Sequence, residues 1–127
     1  MELDLTKGTL KINDEVFLPK YSFEQFKKSA FYKGQDGKRI ILLEGFYIMN
    51  GRKFLVSLFF RTNIIYMISL MCDDKEFTWE NEKERKEFHD EILAEYSIIG
   101  KKEFPWGNIS SNYDPRSGSS SIDIVYY

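Results

Sequence analysis

From residue 53 to residue 72 the chain carries apolar residues on both sides of a period-two pattern. Over residues 53–61, Phe54, Val56, Leu58 and Phe60 share one side, while Leu55 and Phe59 share the other with Ser57. Over residues 64–72, Ile64, Tyr66, Ile68 and Leu70 oppose Ile65, Met67 and Met71. Strands apolar on both sides predict central strands covered on both faces, by helices, a second sheet layer or a partner chain. A third strand is predicted just before them, over residues 39–49. Asn50-Gly51 turns it into the next, since both residues tolerate positive φ, and Thr62-Asn63 makes the following turn. Two short strands are predicted near the start, over residues 9–12 and 16–18, with Asn13-Asp14 between them. Two more close the chain, over residues 106–112 and 120–126, around Asp114-Pro115-Arg116-Ser117-Gly118.

Helical spacing occurs twice. Phe23, Phe26 and Ala30 fall on one face of a predicted helix over residues 23–31. Ser22 with Gln25 three residues on is the capping-box arrangement, Tyr21 and Phe26 occupy the staple positions, and Gly34 is the expected stop. A second helix is predicted from Glu80 or Glu82 to Ile99, with Phe88, Ile92, Tyr96 and Ile99 as its apolar stripe and Leu93 broadening it. Thr78 or Asn81 caps it, and Gly100 with Lys101 and Lys102 suits its end. The predicted order is β-β-α-β-β-β-α-β-β. Short links force antiparallel pairing, so the class is α+β, an antiparallel sheet with two helices.

The length of 127 residues fits a single domain, residues 1–127, with one core. Composition argues against disorder, since 43% of residues are hydrophobic. A net charge of −2 argues against nucleic acid as a direct partner. The start Met1-Glu2-Leu3-Asp4 lacks a cationic segment followed by an apolar run, and the longest apolar stretch, residues 64–72, is far too short to span a membrane. With a single cysteine, Cys72, the expectation is a soluble cytoplasmic protein.

Candidate chemistry is sparse, and the sequence predicts no enzyme, no cofactor and no metal. His89 is the only histidine and lies in Glu87-Phe88-His89-Asp90-Glu91, where it reads as a surface or boundary residue. A base without a recognisable nucleophile or a second histidine makes no triad. Cys72 beside Asp73 reads as structural, because adjacent negative charge raises a thiol's pKa. Gly34, Gly37 and Gly45 match no phosphate-cradling motif.

Charge is unevenly placed. Residues 1–72 balance at +4, residues 73–95 at −6 and the remainder at zero. The usual meaning of such a run is a solvated helix face, and Glu80, Glu84, Glu87 and Glu91 share one exterior. The functional reading is an acidic docking surface for a basic protein, made of Asp73, Asp74, Glu76, Glu80, Glu84 and Glu87 with Trp79 as an aromatic anchor.

The segment Phe104-Pro105-Trp106-Gly107-Asn108-Ile109-Ser110-Ser111-Asn112-Tyr113-Asp114-Pro115-Arg116-Ser117-Gly118, followed by Ile122-Asp123-Ile124-Val125-Tyr126, resembles the closing hairpin of small bacterial proteins encoded beside polymorphic toxins. These include immunity proteins of contact-dependent growth inhibition systems. The resemblance covers the last quarter of the chain. It implies a protein that binds and neutralises a cognate toxin C-terminal domain, in many such systems a nuclease, by occlusion. It transfers no site residue, because these families share no binding motif. Two other readings stand beside it: a small-molecule-binding or enzymatic α+β domain, with a ligand against Phe54, Phe60 or Tyr66, and a structural homodimer through the doubly apolar strands.

Overall fold

The computed structural model describes residues 1–73 and 82–127. Twelve elements are described: β1 (Glu2–Asp4), β2 (Thr9–Ile12), β3 (Glu15–Phe17), α1 (Phe23–Lys27), β4 (Ile40–Leu42), β5 (Tyr47–Met49), β6 (Arg52–Arg61), β7 (Ile64–Cys72), α2 (Glu82–Glu95), β8 (Lys101–Phe104), β9 (Gly107–Asp114) and β10 (Ser119–Tyr126). The fold is α+β, antiparallel sheet with two helices in the predicted order, and short strands add to that order at the sheet edges. β1-β2-β3 form a small sheet. The large sheet runs β4-β6-β7-β10-β9-β8, with β5 also paired to β6. α2 carries the chain from β7 to the far edge strand β8, and the β8-β9-β10 meander returns it to pair with β7.

Turn chemistry sets the register of the central strands. Asn50 and Gly51 adopt φ of 52° and 78°, and Thr62 and Asn63 adopt 52° and 64°, the left-handed pairs that match strand twist. The predicted strand over residues 39–49 is two strands. Residues 43–46, with Gly45 at their centre, lie opposite only residues 55 and 56 of β6, so the chain detours there before pairing resumes at Tyr47.

In β7 the pairing shifts from Phe59↔Met67 to Phe60↔Ile65, which leaves Tyr66 as an extra bulge residue. That bulge changes which side chains point inward. Ile65, Ile68, Leu70 and Cys72 are buried, in place of a uniform alternation along the strand.

The first helix starts as expected. Ser22 Oγ accepts from Gln25 N at 3.1 Å, and Gln25 Oε1 accepts from Ser22 N at 2.9 Å. It ends at Lys27, four residues early. Lys28 and Ser29 N–H groups bond back three residues, and the Ser29 hydroxyl donates to the Phe26 carbonyl at 2.7 Å, competing with the next helical turn. The second helix likewise ends at Glu95 rather than Ile99. Ser97 takes φ of 63°, Ile98 turns into the core, and Ile99 is 94% exposed.

One continuous core takes buried residues from both sheets and both helices, including Leu10, Phe17, Phe26, Phe54, Leu58, Ile68, Ile92, Ile109 and Ile124. Its aromatic centre is Phe60, ringed by Tyr21, Phe23 and Phe26 at centroid distances of 5.5–6.5 Å. Every described element that covers the large sheet does so on this inner face.

Candidate functional site

The inner face of α2 is the first departure from the expected pattern. Its buried residues are Glu82, Arg85, His89, Ile92 and Leu93, so the half of the helix nearest its start buries polar side chains. Phe88 and Tyr96, expected in an apolar stripe, are only half-buried. Burial of the Glu82 carboxylate is tolerated because both of its oxygens are engaged. Glu82 Oε1 accepts from Arg85 Nη1, while Glu82 Oε2 accepts from the Ser120 N–H at 3.1 Å and the Ser120 hydroxyl at 2.9 Å.

His89 is fully buried and is no surface residue. Its Nε2 accepts the Cys72 backbone N–H at 3.0 Å, so the ring proton sits on Nδ1, which finds no acceptor among the described residues. Burial, with the Arg85 cation one turn away, lowers its pKa from 6.5 to about 4. Both partners therefore face each other as a neutral imidazole and a backbone amide, away from solvent. The arrangement anchors α2 to the end of β7. Arg52 on β6 grips the other end of the helix, with two bonds of 2.9 and 3.1 Å to Glu95.

The predicted docking residues divide. Glu84 and Glu87 stand exposed on the outer side of α2, in line with Glu91, so these three do form an acidic ridge. Asp73 is half-buried at the end of β7, its N–H bonded to the Lys53 carbonyl at 2.9 Å. Asp74, Glu76, Trp79 and Glu80 lie outside the described residues, as do the caps Thr78 and Asn81.

The large sheet's outer face is the side of the doubly apolar strands that the sequence left open to cover by a helix, a second layer or a partner chain. Strands apolar on both sides were expected to be covered on both, yet no described element covers this side. Ile40, Leu42, Phe46 and Ile48 are 49–60% exposed at one edge of it. Leu55, Phe59, Met67 and Met71, all half-buried, continue the apolar strip across β6 and β7. Lys53 lies over the Phe46 ring at 5.9 Å and Arg61 over the Tyr66 ring at 4.3 Å, placing cations along the strip's borders.

Beyond β7 the same face turns polar. Asp123 accepts from Asn112 at 2.7 Å and from Ser121 at 2.9 Å, and Asn112 also donates to Ser110 at 2.8 Å. An apolar field of aromatic, Leu, Ile and Met side chains beside a polar margin is the layout of a recognition interface. The residues were visible as a doubly apolar pattern. Which side stays open depends on where the helices and the small sheet pack, and that is a tertiary fact.

No family model matches the chain, and no curated protein or solved structure matches it either. No described helix is long and apolar enough to cross a membrane.

Proposed function

We propose that this chain works by binding rather than by catalysis, as a cytoplasmic immunity-type inhibitor that occludes a cognate toxin domain. The partner docks on the outer face of the large sheet. The observation that carries this reading is the contiguous apolar strip from Ile40 and Leu42 across Phe59 to Met67 and Met71, a kind of surface that proteins functioning alone seldom leave exposed. The resemblance of the closing hairpin supplies the class of partner.

The polar cluster beneath α2 favours the same reading from the other side. Its histidine is sealed from solvent and spends its lone pair on a backbone amide, so the cluster serves to seat a helix. The acidic ridge of Glu84, Glu87 and Glu91 is the second candidate interface, suited to steering a basic partner. It belongs to a helix packed on the inner face, so variants separate the two surfaces cleanly. Co-expression with the C-terminal domain of the adjacent upstream gene's product, the expected toxin, tests the proposal. Cells should survive and a stoichiometric complex should co-purify; continued killing without a complex would remove it.

A further inference from the structure

We propose that the cleft beside the β6–β7 turn is an anion site that takes the phosphate group of a small phosphate ester. The site adjoins the border of the outer sheet face, where Arg61 and Tyr66 lie, but its test needs no protein partner. The cleft has a volume of about 380 Å³ and is lined by Arg39, Phe60, Arg61, Thr62 and Tyr66. A smaller recess of about 140 Å³ shares Arg39, Phe60 and Thr62 with it and adds Lys38. Three cations thus line two adjoining recesses that share Arg39, and among the described residues no carboxylate lines either part. Among the described residues none of the three forms an ion pair. Glu24 and Asp36, the nearby acids in sequence, are both engaged by Lys27, at 3.7 and 3.4 Å.

The walls are preset. The bulge that sets Tyr66 apart from the β7 alternation brings its ring against the Arg61 guanidinium, 4.3 Å from the ring centroid, and Phe59 packs edge-on to the same ring at 6.1 Å. A guanidinium seated over a ring still has N–H groups to offer an oxyanion and loses little freedom on binding one. The turn itself is clamped. Asn63 O accepts from Phe23 N, Ile65 N donates to Tyr21 O, and Phe60 N donates to Arg39 O, each at 2.8 Å. Two arginines and a lysine match a phosphate dianion better than a single carboxylate, because arginine forks bind phosphate oxygens in pairs and each added negative charge strengthens every bond. The volume leaves room beyond the phosphate for a small organic body.

Amide NMR titration of the whole protein, with inorganic phosphate, adenosine monophosphate and acetate at matched ionic strength, tests this. Phosphate and the monophosphate should give saturable shifts at Arg39, Arg61, Thr62 and Asn63, with a dissociation constant of order 1 mM or below. Acetate should bind at least tenfold more weakly. Arg61→Ala and Arg39→Ala, both at exposed positions, should each weaken phosphate about tenfold or more, and Arg61→Lys should recover only part of the loss. Shifts that never saturate, an equal response to acetate, or unchanged binding in the Arg61→Ala protein would each overturn the assignment.

Discussion

The indole N–H of Trp106 donates to the carbonyl of Leu5 at 2.7 Å, joining the closing hairpin to the first turn of the chain across 101 positions. The Tyr126 hydroxyl makes the parallel bond to the Gly8 carbonyl, also at 2.7 Å, and the Trp106 and Tyr126 rings pack at 5.7 Å. Tryptophan-glycine at this place therefore has a structural role. Gly107 lets β9 approach Val125, and Trp106 closes the small sheet onto the large one.

Gly8 is where this clamp is most easily broken. It holds φ of 69°, and a Cβ added there would reach to 2.6 Å from the indole Cγ. Gly8→Ala should cost about 3 kcal/mol from overpacking and left-handed strain together, lowering Tm by roughly 10 °C. Trp106→Phe should cost about 1–2 kcal/mol by stranding the Leu5 carbonyl. Thermal unfolding followed by circular dichroism measures both. A Gly8→Ala protein as stable as the parent would contradict the contact.

The Glu82–Arg85 pair should show the asymmetry of buried charges. Glu82→Ala leaves a buried guanidinium and removes the acceptor for Ser120, and should cost about 3–5 kcal/mol. Replacing both residues with Met removes the uncompensated charge, so the double variant should be more stable than Glu82→Ala alone, with Ser120 still short of its acceptor. Urea denaturation of the two proteins gives the comparison. Equal losses would mean that the pair is not desolvated as described.

His89 should make the fold sensitive to mild acid. Folded, it titrates near 4; in the unfolded chain it titrates near 6.5. As pH falls below 6.5 the unfolded state takes up the proton first, so stability is full above that value and declines until about pH 4. The expected loss between pH 7 and pH 5 is about 2 kcal/mol. His89 is the only histidine, so a His89→Leu variant, although less stable at pH 7, should lose nearly all of that slope. Urea unfolding at the two pH values reads it, and an unchanged slope in the variant would assign the acid sensitivity elsewhere.

Local rules explain what was legible in the sequence. The Ser22–Gln25 capping box, the Asn50-Gly51 and Thr62-Asn63 turns and the inward face of β6 each depend on residues a few positions apart, and each forms as read. β1 and β8 escaped notice because edge strands such as Lys101–Phe104 carry charge rather than alternation. The interior of α2 was misread because charge was assigned to solvent, whereas Glu82, Arg85 and His89 find their partners on β10 and β7 or on one another. Tyr66 changed sides through a bulge that no composition signal announces. The acidic docking residues were legible as a patch, of which Glu84 and Glu87 do lie exposed on α2. The uncovered sheet face needed the tertiary arrangement, since a doubly apolar strand looks the same whether its second cover is a helix or a partner.

The central claim is that a partner occupies that outer face, and affinity for the C-terminal domain of the adjacent upstream gene's product, the proposed toxin, tests it most directly. Leu42→Asp with Ile48→Asp alters two exposed positions and should leave Tm nearly unchanged. It should raise Kd about 100-fold, or about 2.7 kcal/mol, as expected for charge placed within an apolar contact. Glu84→Lys with Glu87→Lys should change Kd only a few-fold, through the association rate. Wild-type affinity in the Leu42/Ile48 variant, with the loss falling instead on the Glu84/Glu87 variant, would contradict the account and move the interface to α2.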